Sequence, residues 1–247
     1  MDLLEWDASA YDVLPLPHER WGAGVIERLR PTGDETVVDL GCGTGRDAER
    51  LLDRLPRGRV VAVDGSSNMV TATRRRLADR ADRLTVVQAD LTRPLPPVVR
   101  GDAVMSVATL HWVPDHAGLF GRIAGVLPDG GRFEAEFGGE GNIAGFQAAL
   151  ARAGGPAAGS SWTFDGPTAT ARALQEAGFG EVDVRVVPDP VVLERGAQLE
   201  AYLATVVMPA ILRDLPADEG RALVRRTAAE LPEPVVDYVR MQLTAVR

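Results

Sequence analysis

The sequence predicts an α/β fold in three layers, with a mostly parallel, seven-stranded sheet between helices. Short β-branched runs recur along the chain and helical patterns separate them, which is typical of a parallel sheet with helices on both faces. The 247 residues are 45% hydrophobic and 25% charged. This length and composition suit one well-cored domain with an elaboration rather than two full domains.

Six strands are predicted at 36–40, 59–64, 84–88, 102–107, 132–137 and 181–187. A last segment, 235–246, alternates apolar with polar side chains and arrives without the strand-helix rhythm, so we expect an antiparallel final strand. We divide the domain into an N-terminal lid (1–30), a core (31–193), a helical cap (194–234) and the last strand (235–247).

The cap segment contains two apolar helix faces. One face consists of Leu199, Tyr202, Leu203 and Val206, and the other of Leu223, Val224, Thr227 and Leu231. The insertion leaves the sheet at the carboxyl edge of the strands, where open α/β sheets bind ligands. It either broadens the core or covers a substrate, and both interpretations stay open.

The first strand runs into a glycine loop and then into a helix. Gly41, Gly43 and Gly45 allow a sharp turn and a close approach to a ligand. In a dinucleotide fingerprint the third Gly comes three residues after the second, whereas here it comes two after, and Asp39 precedes the loop. A carboxylate repels a phosphate but attracts an ammonium group. The loop therefore predicts a nucleotide-like ligand without a phosphate.

Two further strands end in carboxylates. Asp64 lies 23 residues after Gly41, about the offset at which an acidic side chain reaches a ribose diol. Asp90 follows the third strand at the same edge of the sheet. A ligand with a ribose, an amino acid and a base, but no phosphate, corresponds to S-adenosylmethionine.

These motifs occur in the order found in class I S-adenosylmethionine-dependent methyltransferases, and the chain resembles that family over nearly its whole length. The resemblance rests on the DxGxGxG loop, Asp64, the Ala89-Asp90-Leu91 triplet and Leu110-His111-Trp112. It implies a Rossmann-like sheet, S-adenosylmethionine as cofactor and methyl transfer to a small molecule.

The resemblance also implies a set of cofactor residues. They are Tyr11, Asp39, Gly41, Cys42, Gly43, Asp64, Gly65, Met69, Ala89, Asp90, Leu91 and Ala108. The resemblance gives Asp39, Gly41 and Gly43 the methionine part and Asp64 the ribose. It gives Gly65 and Met69 one side of the adenine, and Asp90 with Leu91 its amino edge. Cys42 is either a thiol beside the cofactor or a small core residue.

The trans-aconitate group of this family suggests how a substrate is held. In these relatives a Tyr at the place of Tyr11 covers the cofactor, and a Gln seven residues later grips the substrate carboxylate together with a Trp after the fourth strand. The Trp corresponds to Trp112, but His18 stands in place of the Gln.

The candidate catalytic residues are His18, His111 and Trp112, and the candidate substrate contacts are His18, Trp112 and Trp162. Each histidine is either a hydrogen-bond donor or a general base. For Trp112, a donor role for the indole N–H and a plain apolar wall are both open. Asn142 is a candidate N-cap for the helix after the fifth strand, and cap arginines such as Arg195 and Arg213 are candidate contacts for an acidic substrate.

Composition narrows the possible partners. The net charge of −8 and the absence of a basic cluster with interleaved aromatics disfavour nucleic acid as a substrate. The single cysteine excludes an intramolecular disulfide and a thiolate zinc site. We expect no metal, no membrane span and a cytoplasmic location. All 27 basic residues are arginine, which suggests a bacterial, GC-rich coding sequence.

The acceptor atom decides which chemistry the site needs. A carboxylate is already ionised at neutral pH and needs only donors to orient it. A phenol, an amine or an acidic carbon would instead need a base, which His18 or His111 could provide. A third hypothesis is a cofactor-binding regulator that transfers no methyl group.

Overall fold

A computed structural model of the protein describes residues 5–9, 17–156 and 161–247. Its main sheet has seven strands. The first five in chain order are parallel to one another, and the last runs antiparallel to both of its neighbours. The predicted α/β class, the seven strands and the antiparallel last strand are confirmed.

The main-sheet strands are β1 Thr36–Leu40, β2 Arg59–Asp64, β3 Leu84–Gln88, β4 Ala103–Val107, β5 Arg132–Gly138, β6 Glu181–Pro188 and β9 Val239–Val246. Across the sheet they lie in the order β3-β2-β1-β4-β5-β9-β6. Two short strands, β7 Val191–Val192 and β8 Val235–Val236, form a separate antiparallel pair. The predicted final segment 235–246 is therefore two strands rather than one.

The helices lie on both faces of the sheet. They are α1 His18–Leu29, α2 Arg46–Arg54, α3 Ser67–Arg76, α4 His116–Ala124, α5 Ala144–Arg152, α6 Pro167–Glu176, α7 Ala197–Tyr202, α8 Pro209–Leu212 and α9 Ala217–Glu230. Short 3-10 turns occupy Ala78–Arg80 and Leu110–Trp112, and a π-helical turn at Leu203–Val207 follows α7.

Apolar and polar side chains alternate along β9, as the sequence predicted for the last strand. On one face of β9, Met241, Leu243 and Ala245 are buried in the core that also contains α4. On the other face, Gln242 donates to Glu136 and Thr244 donates to Glu134, both on β5. Successive side chains of a strand point to opposite faces, so the polar positions form a ladder toward α1.

Helix α1 belongs to the core. Val25, Ile26 and Leu29 are fully or almost fully buried on the face of the sheet opposite α4. Arg28 from the same helix contacts Glu134 and Glu136 of β5 at 3.3 Å each. Residues 18–29 of the segment assigned to the lid thus pack as a structural helix.

The start of α5 corrects the prediction for Asn142. The cap position is taken by Ile143, whose φ of 52° is left-handed, while the Asn142 side-chain oxygen accepts from the N–H of Val239. The free N–H groups of Gly145 and Phe146 donate to the carboxylate of Asp237 instead. A residue almost a hundred positions away therefore caps this helix.

The cap segment is continuous with the core. Its predicted apolar residues Leu199, Tyr202, Leu203, Leu223 and Val224 are all buried in the cluster that contains α5. The hydroxyls of Tyr202 and Tyr238 hydrogen-bond at 3.0 Å and join α7 to the start of β9. The π-helical turn and α8 meanwhile extend over the carboxyl edge of the sheet, where Val206, Val207 and Ala210 face a cavity.

Candidate active site

The glycine loop between β1 and α2 is held by β2. The N–H groups of Gly41 and Cys42 both donate to the carbonyl of Val63, and the N–H of Gly43 donates to a carboxylate oxygen of Asp64 at 2.9 Å. Gly43 has a φ of 54°, and a Cβ built on it meets no heavy atom within 4 Å among the described residues. The loop thus presents bare backbone to the cavity, as close ligand approach requires.

Asp64 connects the loop to α3. One carboxylate oxygen accepts from Gly43 and the other from the N–H of Ser66, at 2.9 Å each. A carboxylate offers about four lone-pair sites, so each oxygen retains capacity for another donor. These two backbone bonds fix its orientation toward the cavity that it lines.

Three carboxyl groups surround the loop. Asp39 is 2% exposed, and its Oδ2 has no hydrogen-bond partner within the described part of the chain. Burial, with the charges of Asp47 and Asp64, raises the pKa of Asp39 well above its usual value. Burial also raises the pKa of Asp64, and that of Asp47 to about 6. Such a cluster favours a cationic ligand, which would relieve the repulsion.

A cavity of about 770 Å³ lies at the carboxyl edge of the sheet. Among its lining residues are thirteen that the sequence predicts for the site. They are His18, Gly41, Gly43, Asp64, Gly65, Met69, Ala89, Asp90, Leu91, Ala108, His111, Trp112 and Trp162. The volume is within the range of cofactor and small-molecule sites.

Two other residues predicted for the cofactor, Asp39 and Cys42, are not part of the cavity lining. Asp39 is buried next to the loop and does not line the cavity. Cys42 is 7% exposed, its sulfur lies 3.7 Å from the hydroxyl of Thr73, and burial raises the pKa of its thiol. It faces only a smaller recess of about 50 Å³ between the loop and α1. Tyr11 lies outside the described residues.

Aromatic side chains form one wall. Trp112 contacts Trp6 edge-on, with ring centroids 5.5 Å apart, and lies 6.0 Å from Trp162. Trp162 in turn stacks on Phe164. Trp6 reaches this place because Glu5 accepts from the N–H groups of Ser67 and Asn68 at the start of α3. A carboxylate at a helix N-terminus is a favourable arrangement.

Of the two cavity histidines, His111 is buried and His18 is partly buried, and both have a lowered pKa. Burial, with the nearby charges of Arg240 and Arg46, lowers the pKa of His18 to about 3. Burial also lowers the pKa of His111 well below its usual value, with Arg240 contributing. The N–H of Gly138 donates to Nδ1 of His111, so the neutral ring carries its proton on Nε2. The geometry therefore makes His111 a donor at that nitrogen.

The third histidine is structural. His116 begins α4, where Nδ1 contacts the Asp165 carboxylate at 2.8 Å and Nε2 contacts the carbonyl of Leu110 at 3.0 Å. It does not line the cavity.

Arg240 is a cavity residue that the sequence analysis missed. Its side chain is 2% exposed, and Trp21 of α1 covers one face of its guanidinium at 3.8 Å. Of the two cap arginines considered, Arg213 lines the cavity, whereas Arg195 donates to the carbonyls of Leu231 and Pro232 away from it. The sequence does place Arg240 on the polar face of the last strand. It does not show that Arg240 is buried, because the residue that covers it, Trp21, is more than two hundred positions away.

The site fits S-adenosylmethionine in its polar and apolar parts. An open glycine backbone and acids with a raised pKa suit the cationic amino-acid end, and Asp64 retains acceptor capacity for ribose hydroxyls. Met69, Ala89 and Leu91 form an apolar surface of the kind that a purine needs. Among residues 5–9, 17–156 and 161–247, no group of three or more candidate metal ligands occurs.

Comparisons with known proteins agree with this geometry. Residues 37–131 match the family model described as a methyltransferase domain. Over its full course the fold resembles the YcgJ protein from Bacillus subtilis, with a TM-score of 0.68, 14% identity and coverage of 93% of this chain and 99% of that one. It also resembles phosphoethanolamine N-methyltransferase 2 from Haemonchus contortus, with a TM-score of 0.61, 18% identity and coverage of 92% and 52%. Residues 37–131 are therefore similar to a methyltransferase domain, and the fold that contains them is the one these solved structures share.

Part of this chain is also similar in sequence to curated enzymes. A trans-aconitate 2-methyltransferase from an Acidovorax species is 34% identical over 127 residues, and the match covers 51% of this chain and 47% of the relative. The corresponding enzyme from Mycobacterium ulcerans is 37% identical over 125 residues, covering 51% and 45%. The chain thus matches about half the length of these relatives. None of the described helices is both long and apolar enough to span a membrane.

Proposed function

We propose that the protein uses S-adenosylmethionine to methylate a carboxylate oxygen of a small organic acid. The observation that carries this proposal is the hydrogen bond from the N–H of Gly138 to Nδ1 of His111, which leaves this ring a donor at Nε2 with no free nitrogen to take a proton. The lowered pKa of both cavity histidines supports it. An imidazole with a pKa near 3 is a weak base at neutral pH, and general-base catalysis works best when the pKa lies near the working pH. A carboxylate acceptor needs no base, so it suits the site better than a phenol or an amine.

The chain's own residues then act by orientation. His111 donates from Nε2, its ring lies 5.2 Å from that of Trp112, and His18 lines the same cavity, so we assign the acceptor to these three side chains. Hydrogen bonds to a charged carboxylate are shorter and stronger than those to neutral groups. The tryptophan wall excludes water from the reacting oxygen, which raises its reactivity.

We assign the cofactor to the glycine-loop side of the cavity. Gly41 and Gly43 approach its methionine part, Asp64 accepts from its ribose, and Met69, Asp90 and Leu91 contact its adenine. Asp39 acts from beneath the loop as a buried acid. When bound, S-adenosylmethionine would supply a sulfonium methyl group. An aligned carboxylate oxygen would bond to its carbon as the carbon–sulfur bond breaks, with S-adenosylhomocysteine as the leaving group. Alignment of two bound reactants is worth about 7 to 11 kcal/mol. The trans-aconitate relatives support the choice of an acid as acceptor.

The test is methyl transfer from labelled S-adenosylmethionine to a panel of organic acids, phenols and amines, with products identified by mass. We expect methyl esters and, with S-adenosylmethionine saturating at every pH, a rate that stays level from about pH 6 to 8, because the pKa of both cavity histidines is lowered below that range. The His111→Gln variant retains a side-chain donor and should lose mainly acceptor affinity. The His116→Gln variant changes a histidine outside the cavity and serves as its control.

Two results would contradict the proposal. Methylated phenols or amines, with a rate that rises with pH and collapses in the histidine variants, would show base-assisted O-, N- or C-methylation. Saturable binding of S-adenosylmethionine with no methylated product from any class would instead indicate a cofactor-binding protein without transfer activity.

A further inference from the structure

Arg240 is a buried cation whose hydrogen-bonding capacity is mostly unused. Among the described residues its guanidinium makes one hydrogen bond, from Nη2 to the carbonyl of Glu136, and its Nε has no partner. The nearest carboxylate oxygen, on Glu136, lies 3.9 Å from Nε, beyond hydrogen-bond distance. A buried arginine without matched acceptors is costly, so its presence at a cavity wall calls for an explanation.

The surrounding carboxylates accept hydrogen bonds from groups other than Arg240. The second carboxylate oxygen of Glu136 accepts from Arg28 and Gln242, and Glu134 accepts from Arg28 and Thr244. Asp189 accepts from Arg20 and from the indole of Trp21. Burial lowers the pKa of Arg240 to about 10 in spite of these acids. Within the described part of the chain, none of these three carboxylates therefore accepts a hydrogen bond from Arg240.

Trp21 gives the guanidinium a fixed plane. The centre of the indole ring lies 3.8 Å from Cζ of Arg240 and covers one face of the guanidinium. The indole N–H donates to Asp189, which fixes the orientation of the ring. Arginine stacked in this way presents its N–H groups edge-on, which matches the two oxygens of a carboxylate. Tyr238 and His18 line the cavity beside it.

Sheet geometry separates this cation from the cofactor side. In the strand order β9 is three strands from β1, which carries the glycine loop, and adjacent strands lie about 4.8 Å apart, so the two strands are roughly 14 Å apart. A cation on this side is also better placed for an anion that does not react, because hydrogen bonds from a guanidinium would reduce the nucleophilicity of the reacting oxygen.

We propose that Arg240, held by Trp21, anchors a second carboxylate of the acceptor, one that is not methylated. This rests on the proposed function and deepens it, since the substrate class becomes a small acid with at least two carboxylates. Arg240 is then a specificity residue that discriminates diacids from monoacids by pairing with the far carboxylate.

The experiment compares glutarate with butyrate, which lacks the second carboxylate, by calorimetry in the presence of saturating S-adenosylhomocysteine. We expect wild-type protein to bind glutarate at least about tenfold more tightly than butyrate, because a hydrogen-bonded charge pair is lost with the monoacid. The Arg240→Gln variant should remove that preference while its affinity for butyrate stays unchanged. The Arg240→Lys variant keeps the charge but not the planar fork, so it should retain part of the preference.

Arg28→Gln is the matched control, because Arg28 contacts the same Glu136 but does not line the cavity. Urea unfolding and S-adenosylhomocysteine binding show whether each variant is folded. If Arg240→Gln, folded by these criteria, retains the preference for glutarate, or if Arg28→Gln abolishes it equally, the anchor does not exist. Because this readout is binding, it stands apart from methyl transfer. A diacid preference without any ester product would refute the proposed function and not the anchor.

Discussion

At the scale of single residues, the site depends on backbone that carries no side chain. Gly43 and Gly130 both have left-handed φ angles, 54° and 78°, and a Cβ at either meets nothing within 4 Å among the described residues. They differ in place, because Gly43 lines the cavity and Gly130 lies exposed in the turn before β5. This pair separates the conformational role of a glycine from its role in ligand access.

We expect Gly43→Ala and Gly130→Ala to lose similar stability, about 1 to 2 kcal/mol each, since both place a Cβ in a left-handed conformation. Only Gly43→Ala should lose affinity for S-adenosylmethionine, because its methyl group occupies space that the cofactor needs. Chemical unfolding measures the first quantity and calorimetry the second. Equal cofactor affinity in the two variants would mean that the loop does not contact the cofactor.

Residues in the site were predictable where their role follows from local sequence. Gly41, Gly43 and Asp64 were predicted from a strand, the loop that follows it and the spacing between the loop and Asp64. Arg240 does not, because its environment is made by Trp21 and Glu136, which are more than a hundred positions away. Asn142 was misassigned for a related reason: the oxygen that caps α5 comes from Asp237 on a different segment. Long-range partners leave no pattern in the sequence near the residue that they serve.

At the scale of elements, α1 packs closely against α2 because one of its two glycines, Gly22, has no side chain at the contact. A Cβ on Gly22 would lie 2.1 Å from a carboxylate oxygen of Asp47 on α2, whereas a Cβ on Gly24 meets only the end of Arg28, at 3.5 Å. The helix could therefore gain an alanine at one position and not at the other. This contact places His18 and Trp21, both on α1, beside the cavity.

Gly24→Ala should stabilise the protein by up to about 1 kcal/mol, since alanine is the better helix former. Gly22→Ala should destabilise it, because the added methyl displaces the Asp47 carboxylate from its hydrogen bond with Arg50. Thermal unfolding of the two variants tests this. A higher melting temperature for both would show that α1 can shift away from α2 without cost.

Helix α5 provides a second test of an element. Asp237→Ala removes the acceptor for the N–H groups of Gly145 and Phe146 and should cost about 0.5 to 2 kcal/mol, as for other lost caps. Asp237→Asn retains a side-chain oxygen and should lose less. The urea midpoints of the two variants give the comparison, and equal loss in both would assign the effect to charge rather than to the hydrogen bonds.

At the scale of the whole molecule, the charges are arranged by sign across the sheet edge. Asp39, Asp47 and Asp64 lie around the glycine loop, and Arg240 lies on the far side of the same cavity. The fold class predicted Asp39 and Asp64, because the carboxyl ends of parallel strands meet at one edge. It did not predict Asp47, which lies on α2. The position of Arg240 required knowledge of how β9 inserts between β5 and β6. An acceptor with two anionic groups and a cationic cofactor match this separation.

The acidic side of this arrangement predicts how cofactor affinity depends on pH. The pKa of Asp47 is raised to about 6, and those of Asp39 and Asp64 are also raised, so the cluster of the free protein takes up protons as the pH falls through about 6. A bound cation lowers these pKa values, and binding therefore releases protons. We expect affinity for S-adenosylmethionine to rise from pH 5 to pH 8, with proton release detected by calorimetry in two buffers of different ionisation enthalpy. The Asp39→Asn variant should bind more weakly and show a smaller dependence on pH. Affinity that is constant over this range, or equal pH dependence in the variant, would rule out a role for the buried acid in holding the cofactor.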